Sequence, residues 1–132
     1  MKLPIVALAL AALPLAAPAA AERPSGEERL AELLDGRVAG EPTGCVNTRP
    51  GARLYIIDDT ALVYDAGRTI YVNYTQYPES LDGDDLIVTR NTFAKICRST
   101  QIQTRNRYSP GFTTGTLFLT DFVPYERPED EG

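Results

Sequence analysis

The chain has 132 residues, of which 43% are hydrophobic and 23% are charged, with a net charge of −5 and no histidine. An acidic chain of this kind is not expected to bind nucleic acid or an anionic membrane surface, because both require basic residues. The absence of histidine excludes Ser-His-Asp and Cys-His catalysis, and it excludes every metal site that needs an imidazole ligand.

The N-terminal residues 1–21 have the three-part pattern of a secretory signal peptide. Lys2 provides a positive start, an apolar run extends from Leu3 to about Leu15, and Ala19-Ala20-Ala21 fits the cleavage rule for small residues. The apolar run is shorter than the roughly 20 residues that span a bilayer. We therefore expect an exported protein, periplasmic or secreted and of bacterial type, that is not inserted in the membrane after signal removal.

The predicted mature chain is one small domain. Removal of residues 1–21 leaves 111 residues and takes away Lys2, which changes the net charge from −5 to −6. That length supports a single hydrophobic core, so we expect one domain over residues 22–125 and a mobile acidic tail over residues 126–132. An acidic domain attracts cations, which makes a basic protein a candidate partner.

The chain contains two cysteines, Cys45 and Cys97. In an exported protein a single pair of cysteines most simply forms a structural disulfide bond. The bond would close a loop of 52 residues, and the loop-entropy model assigns about 4 kcal/mol to a closure of that length. The alternative, a reactive thiol, normally needs a nearby histidine or a C-x-x-C partner, and the chain has neither.

One helix is predicted near the start of the mature domain, over about residues 26–35. Ser25 followed by Glu28 forms a capping box, and Gly36 suits the left-handed conformation that ends a helix. An apolar stripe at i, i+3 and i+4 is expected to pack on the core: Leu30, Leu33 and Leu34.

After a Gly/Pro-rich connector the sequence becomes typical of strands. Tight turns at Asp58-Asp59 and Ala66-Gly67 would join the first three strands into an antiparallel meander. Strands are predicted over residues 53–58, 60–65, 68–75, 86–91, 95–107 and 113–123. The predicted fold is mainly β, of the α+β class. We expect a small antiparallel meander sheet or a half-open barrel with one N-terminal helix.

The densest group of carboxylates is "LDGDDL", residues 81–86. Asp82, Asp84 and Asp85 offer oxygen ligands for Ca²⁺, but their spacing does not match a calcium-binding loop. A polar turn between strands explains the same residues, and this interpretation is favoured. The chain also has no nucleotide-binding signature. We therefore assign no metal, no cofactor and no catalytic residue.

Tyrosines and arginines are the candidate interaction residues. Tyrosine and arginine dominate protein interfaces, although tyrosine is also common in half-buried strands. The candidate surface consists of Tyr55, Tyr64, Tyr71, Tyr74, Tyr77, Arg53, Arg68 and Arg90. Asn73-Tyr74-Thr75 fits the N-glycosylation pattern, which matters only in a eukaryotic secretory route.

Three segments resemble a family of small exported bacterial proteins known as a domain of unknown function. They are "LDGRVAGEPTGCV" (34–46), "IIDDTALVYDAGRTIYVN" (56–73) and "TDFVPYERP" (120–128). The resemblance implies export, a small domain and pairing of Cys45 with Cys97. It implies no activity and no catalytic or binding residue.

Two functions remain open from the sequence. The first is a non-catalytic periplasmic or secreted module that binds another molecule, with a basic protein as candidate partner. In architecture it would resemble the periplasmic inhibitors of cationic cell-wall hydrolases. The alternative is a small hydrolase that depends on carboxylates. An enzyme is the less favoured of the two, because no feature of the sequence marks which carboxylates would pair.

Overall fold

A computed structural model describes residues 23–89 and 94–129, together with residues 2, 4, 9 and 11–14. In these residues one α-helix, α1, covers Gly26–Leu33, and a short 3₁₀ helix covers Pro78–Ser80. The strands, in chain order, are β1 (Val38–Ala39), β2 (Cys45–Asn47), β3 (Arg53–Ile57), β4 (Ala61–Asp65), β5 (Thr69–Asn73), β6 (Leu86–Thr89), β7 (Lys95–Cys97), β8 (Ile102–Arg105), β9 (Thr113–Leu117) and β10 (Val123–Glu126).

The predicted N-terminal helix is confirmed. The Ser25 hydroxyl accepts a hydrogen bond from the Glu28 N–H at 3.2 Å, so the predicted N-cap is formed. The helix ends at Leu33, two residues earlier than expected, and Gly36 follows with a φ of 75°. Gly26 packs so closely against the turn between β3 and β4 that an added Cβ would collide with Thr60 and the Asp58 carbonyl. This contact fixes the start of α1 at one end of the sheet.

The largest sheet has five antiparallel strands in the order β1-β10-β5-β4-β3. Strands β3, β4 and β5 are neighbours both in the chain and in the sheet. Two tight turns connect them, with φ values of 53° at Asp59 and 90° at Gly67. Because the strands alternate in direction, these two turns lie at opposite ends of the sheet.

Each face of the five-stranded sheet is covered by a hydrophobic core. The face under α1 buries Leu30, Ile57, Ala61, Val63, Ile70 and Val72. The opposite face packs on the two smaller sheets and buries Val46, Ile56, Leu62, Tyr64, Leu81, Ile96, Ile102, Leu117, Leu119 and Phe122. The alternation of side chains along each strand supplies one residue to each core in turn.

The smaller sheets are β2–β7 and β6-β8-β9, and both are antiparallel. A mainly β fold with antiparallel sheets and one helix is therefore confirmed. Among the described residues the sheets do not close into a barrel, and no helix in the same residues is long and apolar enough to cross a membrane.

Two of the predicted strands are wrong in extent. The strand expected over residues 95–107 is broken into β7 and β8, which belong to different sheets. Between them the Thr100 N–H donates to the Cys97 carbonyl at 2.8 Å and closes a turn. The strand expected over residues 113–123 ends as β9 at Leu117, and its last residue, Val123, begins β10. Polar residues such as Ser99 and Thr100 are compatible with a strand, but they also form turns, so the sequence pattern did not reveal the break.

The Cys45–Cys97 disulfide bond is present, as predicted. The two cysteines are directly opposite each other in β2 and β7, and their Cα atoms are 3.9 Å apart. Beside them Val46 faces Ile96, and both of these side chains are buried in the core. Strands of three residues form few ladder hydrogen bonds, so the covalent bond and this apolar pair together keep β2 and β7 on the core.

Asn73, at the end of β5, is fully buried, and both its amide nitrogen and its amide oxygen have hydrogen-bond partners. Its Nδ2 donates to the Thr120 carbonyl at 2.7 Å. Its Oδ1 accepts from the Thr120 and Thr75 N–H groups, each at 3.0 Å. The Asn73 side-chain amide, which a glycan would have to modify, is therefore not accessible in the folded protein. The amide instead connects β5 to the segment that leads into β10.

We expect replacement of both Cys45 and Cys97 by serine to lower the free energy of unfolding by about 2–5 kcal/mol, because the unfolded chain regains the freedom of the closed loop. Urea denaturation of the oxidised protein and the double variant measures the difference. An unchanged urea midpoint would contradict a stabilising role for the bond.

We expect Asn73→Ala to lower the free energy of unfolding by about 3 kcal/mol, because it leaves backbone groups of the buried Thr75 and the half-buried Thr120 without partners. Asn47→Ala, at an exposed position of β2, is the matched control and should change it by less than about 0.5 kcal/mol. Thermal and urea unfolding of both variants would show the contrast, and equal losses would contradict the role given to Asn73.

Candidate functional site

The structure separates the tyrosines of the predicted interaction surface. Tyr64 and Tyr71 lie on the face of the sheet that packs on the smaller sheets, with ring centroids 6.1 Å apart. Tyr64 is 4% exposed, and its hydroxyl accepts a hydrogen bond from the Arg49 N–H at 2.7 Å. Tyr55 lies on the face under α1. Strand alternation produces this separation, because Tyr55 and Tyr64 occupy opposite phases of the pleat.

Arg53 and Tyr55 form a small group on β3. The Arg53 guanidinium lies over the Tyr55 ring, 5.7 Å from its centroid. The same guanidinium is 3.6 Å from the Asp65 carboxylate on β4. Burial raises the pKa of the Tyr55 hydroxyl, and the nearby Asp65 charge adds to the increase. The Arg53 side chain is mostly exposed, so this pair contributes little to stability.

Tyr74 and Tyr77 follow β5 and are partly exposed. The Tyr77 ring meets Phe118 edge-to-face at 6.0 Å. The Tyr74 hydroxyl lies 2.9 Å from the Tyr125 hydroxyl. Burial, followed by this hydrogen bond, raises the pKa of Tyr74 to about 12, so its phenol stays neutral at physiological pH. Of the predicted arginines, Arg68 lies at the turn between β4 and β5, and Arg90 is outside the described residues.

A groove of about 390 Å³ lies between α1 and the end of the five-stranded sheet, and we call it the helix groove. The residues that line it are Glu27, Leu30, Ala31, Leu34, Asp59, Thr60, Tyr74 and Pro78. Leucine, alanine and proline side chains give it an apolar surface. Two carboxylates, from Glu27 and Asp59, line it together with the phenol of Tyr74.

The approach of α1 to the β3–β4 turn explains why these carboxylates share the groove. Gly26 contacts that turn, which places Glu27 beside Asp59. The Asp59 N–H donates to the Leu81 carbonyl at 3.0 Å, so the turn is held on the body of the protein. Among the described residues, neither the Glu27 nor the Asp59 carboxylate has a hydrogen-bond or ion-pair partner. Both are exposed and available to a cation.

Other acidic residues at this end of the sheet have structural partners. Asp58 accepts from the Gly83 N–H and lies 3.9 Å from the Arg29 guanidinium. In the loop of residues 81–86, where calcium binding is the alternative to a polar turn, Asp82 accepts a hydrogen bond from the Asp84 N–H at 2.9 Å. Asp85 accepts from the Thr114 hydroxyl at 2.8 Å. These contacts are those of a polar turn. Across the described part of the chain, no group of three or more metal-ligating side chains occurs.

The sequence predicts that the leucines of α1 are core residues and that Asp58-Asp59 forms a turn. Leu30 is buried, but Leu34 is only partly covered and contributes to the wall of the groove. The sequence does contain one indication of the groove, because Glu27 places a carboxylate beside the leucine stripe in the first helical turn. Its meeting with Asp59, more than thirty residues away, depends on the tertiary fold.

No family model, curated protein or solved structure matches this chain.

The raised pKa of Tyr74 predicts a pH dependence of stability. The folded state keeps the Tyr74 proton up to a pH of about 12, whereas an unperturbed tyrosine loses it near 10. The stability linked to this proton is complete below pH 10 and is lost as the pH rises towards 12. Between pH 9 and 12 the free energy of unfolding should therefore fall less steeply in Tyr74→Phe than in the wild type. Parallel curves from urea unfolding at each pH would contradict the shift.

Proposed function

We propose that this protein is an exported, non-catalytic binding module whose helix groove accepts a lysine or arginine side chain from a basic protein partner. The observation that carries the proposal is the combination of an apolar surface with two unpartnered carboxylates, Glu27 and Asp59, in one groove.

The chemistry of the groove matches a long cationic side chain. Lysine and arginine side chains have an apolar stem and a charged head. The stem packs on apolar surface, whereas the head needs polar or charged surroundings. Leu30 and Leu34 offer contacts for the stem, and the carboxylates of Glu27 and Asp59 offer contacts for the head. The neutral ring of Tyr74, which also lines the groove, provides a face for cation–π contact. The negative net charge of the protein would speed the approach of a basic partner.

Export is part of the proposal. The disulfide bond is compatible with an oxidising compartment, where such bonds persist. The signal-peptide pattern of residues 1–21 supports delivery to the periplasm or the exterior. Membership of the family of small exported bacterial proteins is proposed from the resemblance of residues 34–46, 56–73 and 120–128. We also propose that β3, β4 and β5 are the meander of a half-open barrel, with α1 over its outer face.

Catalysis by carboxylates is less well supported than binding. A carboxyl group that acts as a general acid is normally shielded from water, which raises its pKa. Glu27 and Asp59 share a groove but are exposed. Asp58, Asp82 and Asp85 accept hydrogen bonds within their loops. The geometry therefore favours recognition over hydrolysis.

A synthetic lysine-rich peptide is the probe for this proposal, with binding measured by isothermal titration calorimetry. Glu27→Gln and Asp59→Asn should each weaken binding about threefold to fivefold, since an exposed ion pair contributes up to about 1 kcal/mol. Asparagine tolerates the positive φ of Asp59, so the turn should be preserved. Binding should also weaken strongly at about 1 M salt, where the Debye length is only about 3 Å.

Glu41→Gln is the matched control, because it removes one exposed negative charge outside the helix groove. Its affinity for the peptide should equal that of the wild type. An equal loss in Glu41→Gln and Glu27→Gln would show that the peptide responds to net charge alone. That result, or equal binding of a glutamate-rich peptide, would overturn the helix groove as the binding site.

A further inference from the structure

A second groove, of about 670 Å³, lies at the opposite end of the five-stranded sheet, and we call it the arginine groove. Its walls come from the segment after α1, the loop after β2, the β4–β5 turn and the chain that follows β10. The residues that line it are Arg37, Arg49, Gly67, Arg68, Thr69, Glu126, Arg127, Pro128 and Glu129. Strand β4 separates the two grooves by roughly 15 Å, at about 3.3 Å per residue.

Four arginines converge in this groove although the protein as a whole is acidic, with a net charge of −5. Two glutamates also line the groove. The Glu126 carboxylate is already used, since it accepts a hydrogen bond from the Thr69 hydroxyl at 2.8 Å. Four guanidinium groups against two carboxylates leave an excess of positive charge. Like charges placed together repel one another, so an arrangement of this kind is stabilised when an anion is bound.

Arg37 has a different role from the other three arginines. Its guanidinium donates to the carbonyl oxygens of Arg68 at 2.9 Å, Gly67 at 3.3 Å and Tyr125 at 3.4 Å. These bonds attach the β4–β5 turn to β10 and thereby position the backbone that carries Arg68. Arg37 therefore holds the walls of the groove in place, and its positive charge adds to that of the other three arginines.

The remaining guanidinium groups, those of Arg49, Arg68 and Arg127, have no hydrogen-bond or ion-pair partner among residues 23–89 and 94–129. All three residues are exposed. The position of Arg49 is set by its backbone, whose N–H donates to the buried Tyr64 hydroxyl at 2.7 Å. Their five-donor, planar groups match the paired oxygens of a carboxylate or a phosphate.

A smaller recess of about 110 Å³ adjoins this groove and shares Arg49, Arg68 and Thr69 with it. Its other walls are Asn47, Ala66 and Tyr71. The recess thus offers an amide and an aromatic ring next to the shared guanidinium groups. The combined volume is in the range of sites for small molecules, which run from about 300 to 1,000 Å³.

We propose that the arginine groove binds a small oxyanion with at least two negative charges, with Arg49, Arg68 and Arg127 as the residues that contact it. The charged oxygens lie among the three guanidinium groups, and an uncharged part of the ligand enters the recess beside Tyr71. This site is separate from the helix groove and does not depend on the function proposed for it. Carboxylate and phosphate share the chemistry that the site recognises.

The test is calorimetric titration of the full chain with citrate and, separately, with pyrophosphate at low ionic strength. Each probe carries several negative oxygens. At least one of them should bind with a stoichiometry of one, and Arg68→Gln and Arg49→Gln should each weaken binding about tenfold. The tighter of the two probes identifies whether the site prefers carboxylate or phosphoryl oxygens.

Arg29→Gln is the control, because it removes one exposed positive charge at the other end of the sheet. It should leave citrate and pyrophosphate binding unchanged. Glu27→Gln should do the same, which separates this test from that of the helix groove. A second readout is the NMR signal of each arginine Nε–Hε group, and the signals of Arg49, Arg68 and Arg127 should shift during the titration.

Two results would overturn the proposal. One is no binding of either anion at millimolar concentration by the folded wild-type protein. The other is an equal loss of binding in Arg29→Gln and Arg68→Gln, which would show attraction to positive charge in general.

Discussion

Burial of β4 on both faces is the constraint on which the rest of the structure depends. Ala61 and Val63 pack in the core under α1, and Leu62 and Tyr64 pack in the core above the smaller sheets. A shift of one residue would exchange the two sets and would bring the large Tyr64 ring under the helix. The register of β4 against β3 and β5 therefore places the helix on one face and the smaller sheets on the other.

Hydrogen-bonded ladders run within each sheet, and side chains add connections between the layers. The Tyr64 hydroxyl reaches the backbone of Arg49 in the loop after β2. The amide of Asn73 holds the segment around Thr120. The disulfide bond keeps the short strands β2 and β7 together on the core. In a domain of this size, a few such connections represent a large share of the total stability.

The turns at the two ends of the five-stranded sheet bring acidic and basic side chains into separate grooves. The β3–β4 turn brings Asp59 to Glu27 at the start of α1, and the β4–β5 turn brings Arg68 to three other arginines. The net charge alone suggests a uniformly acidic molecule. The fold instead produces two grooves of opposite character on one rigid sheet, so that one protein can present a carboxylate groove and a guanidinium groove at once.

Local sequence patterns are enough to predict the features that depend on near neighbours. The Ser25 cap, the alternation along residues 69–73, the turns at Asp59 and Gly67, and the pairing of the two cysteines all follow from local patterns or from simple counting. The ends of the strands and the contacts between distant side chains depend instead on how the sheets pack together. The strand expected over residues 95–107 is divided because β7 pairs with β2 and β8 pairs with β6 and β9, in separate sheets. The four arginines of the arginine groove lie between residues 37 and 127. They meet because β5 pairs with β10, Arg37 bonds to the turn that precedes β5, and the Arg49 N–H bonds to the Tyr64 hydroxyl. Contacts between residues so far apart depend on the packing of whole layers, which no local pattern in the sequence encodes.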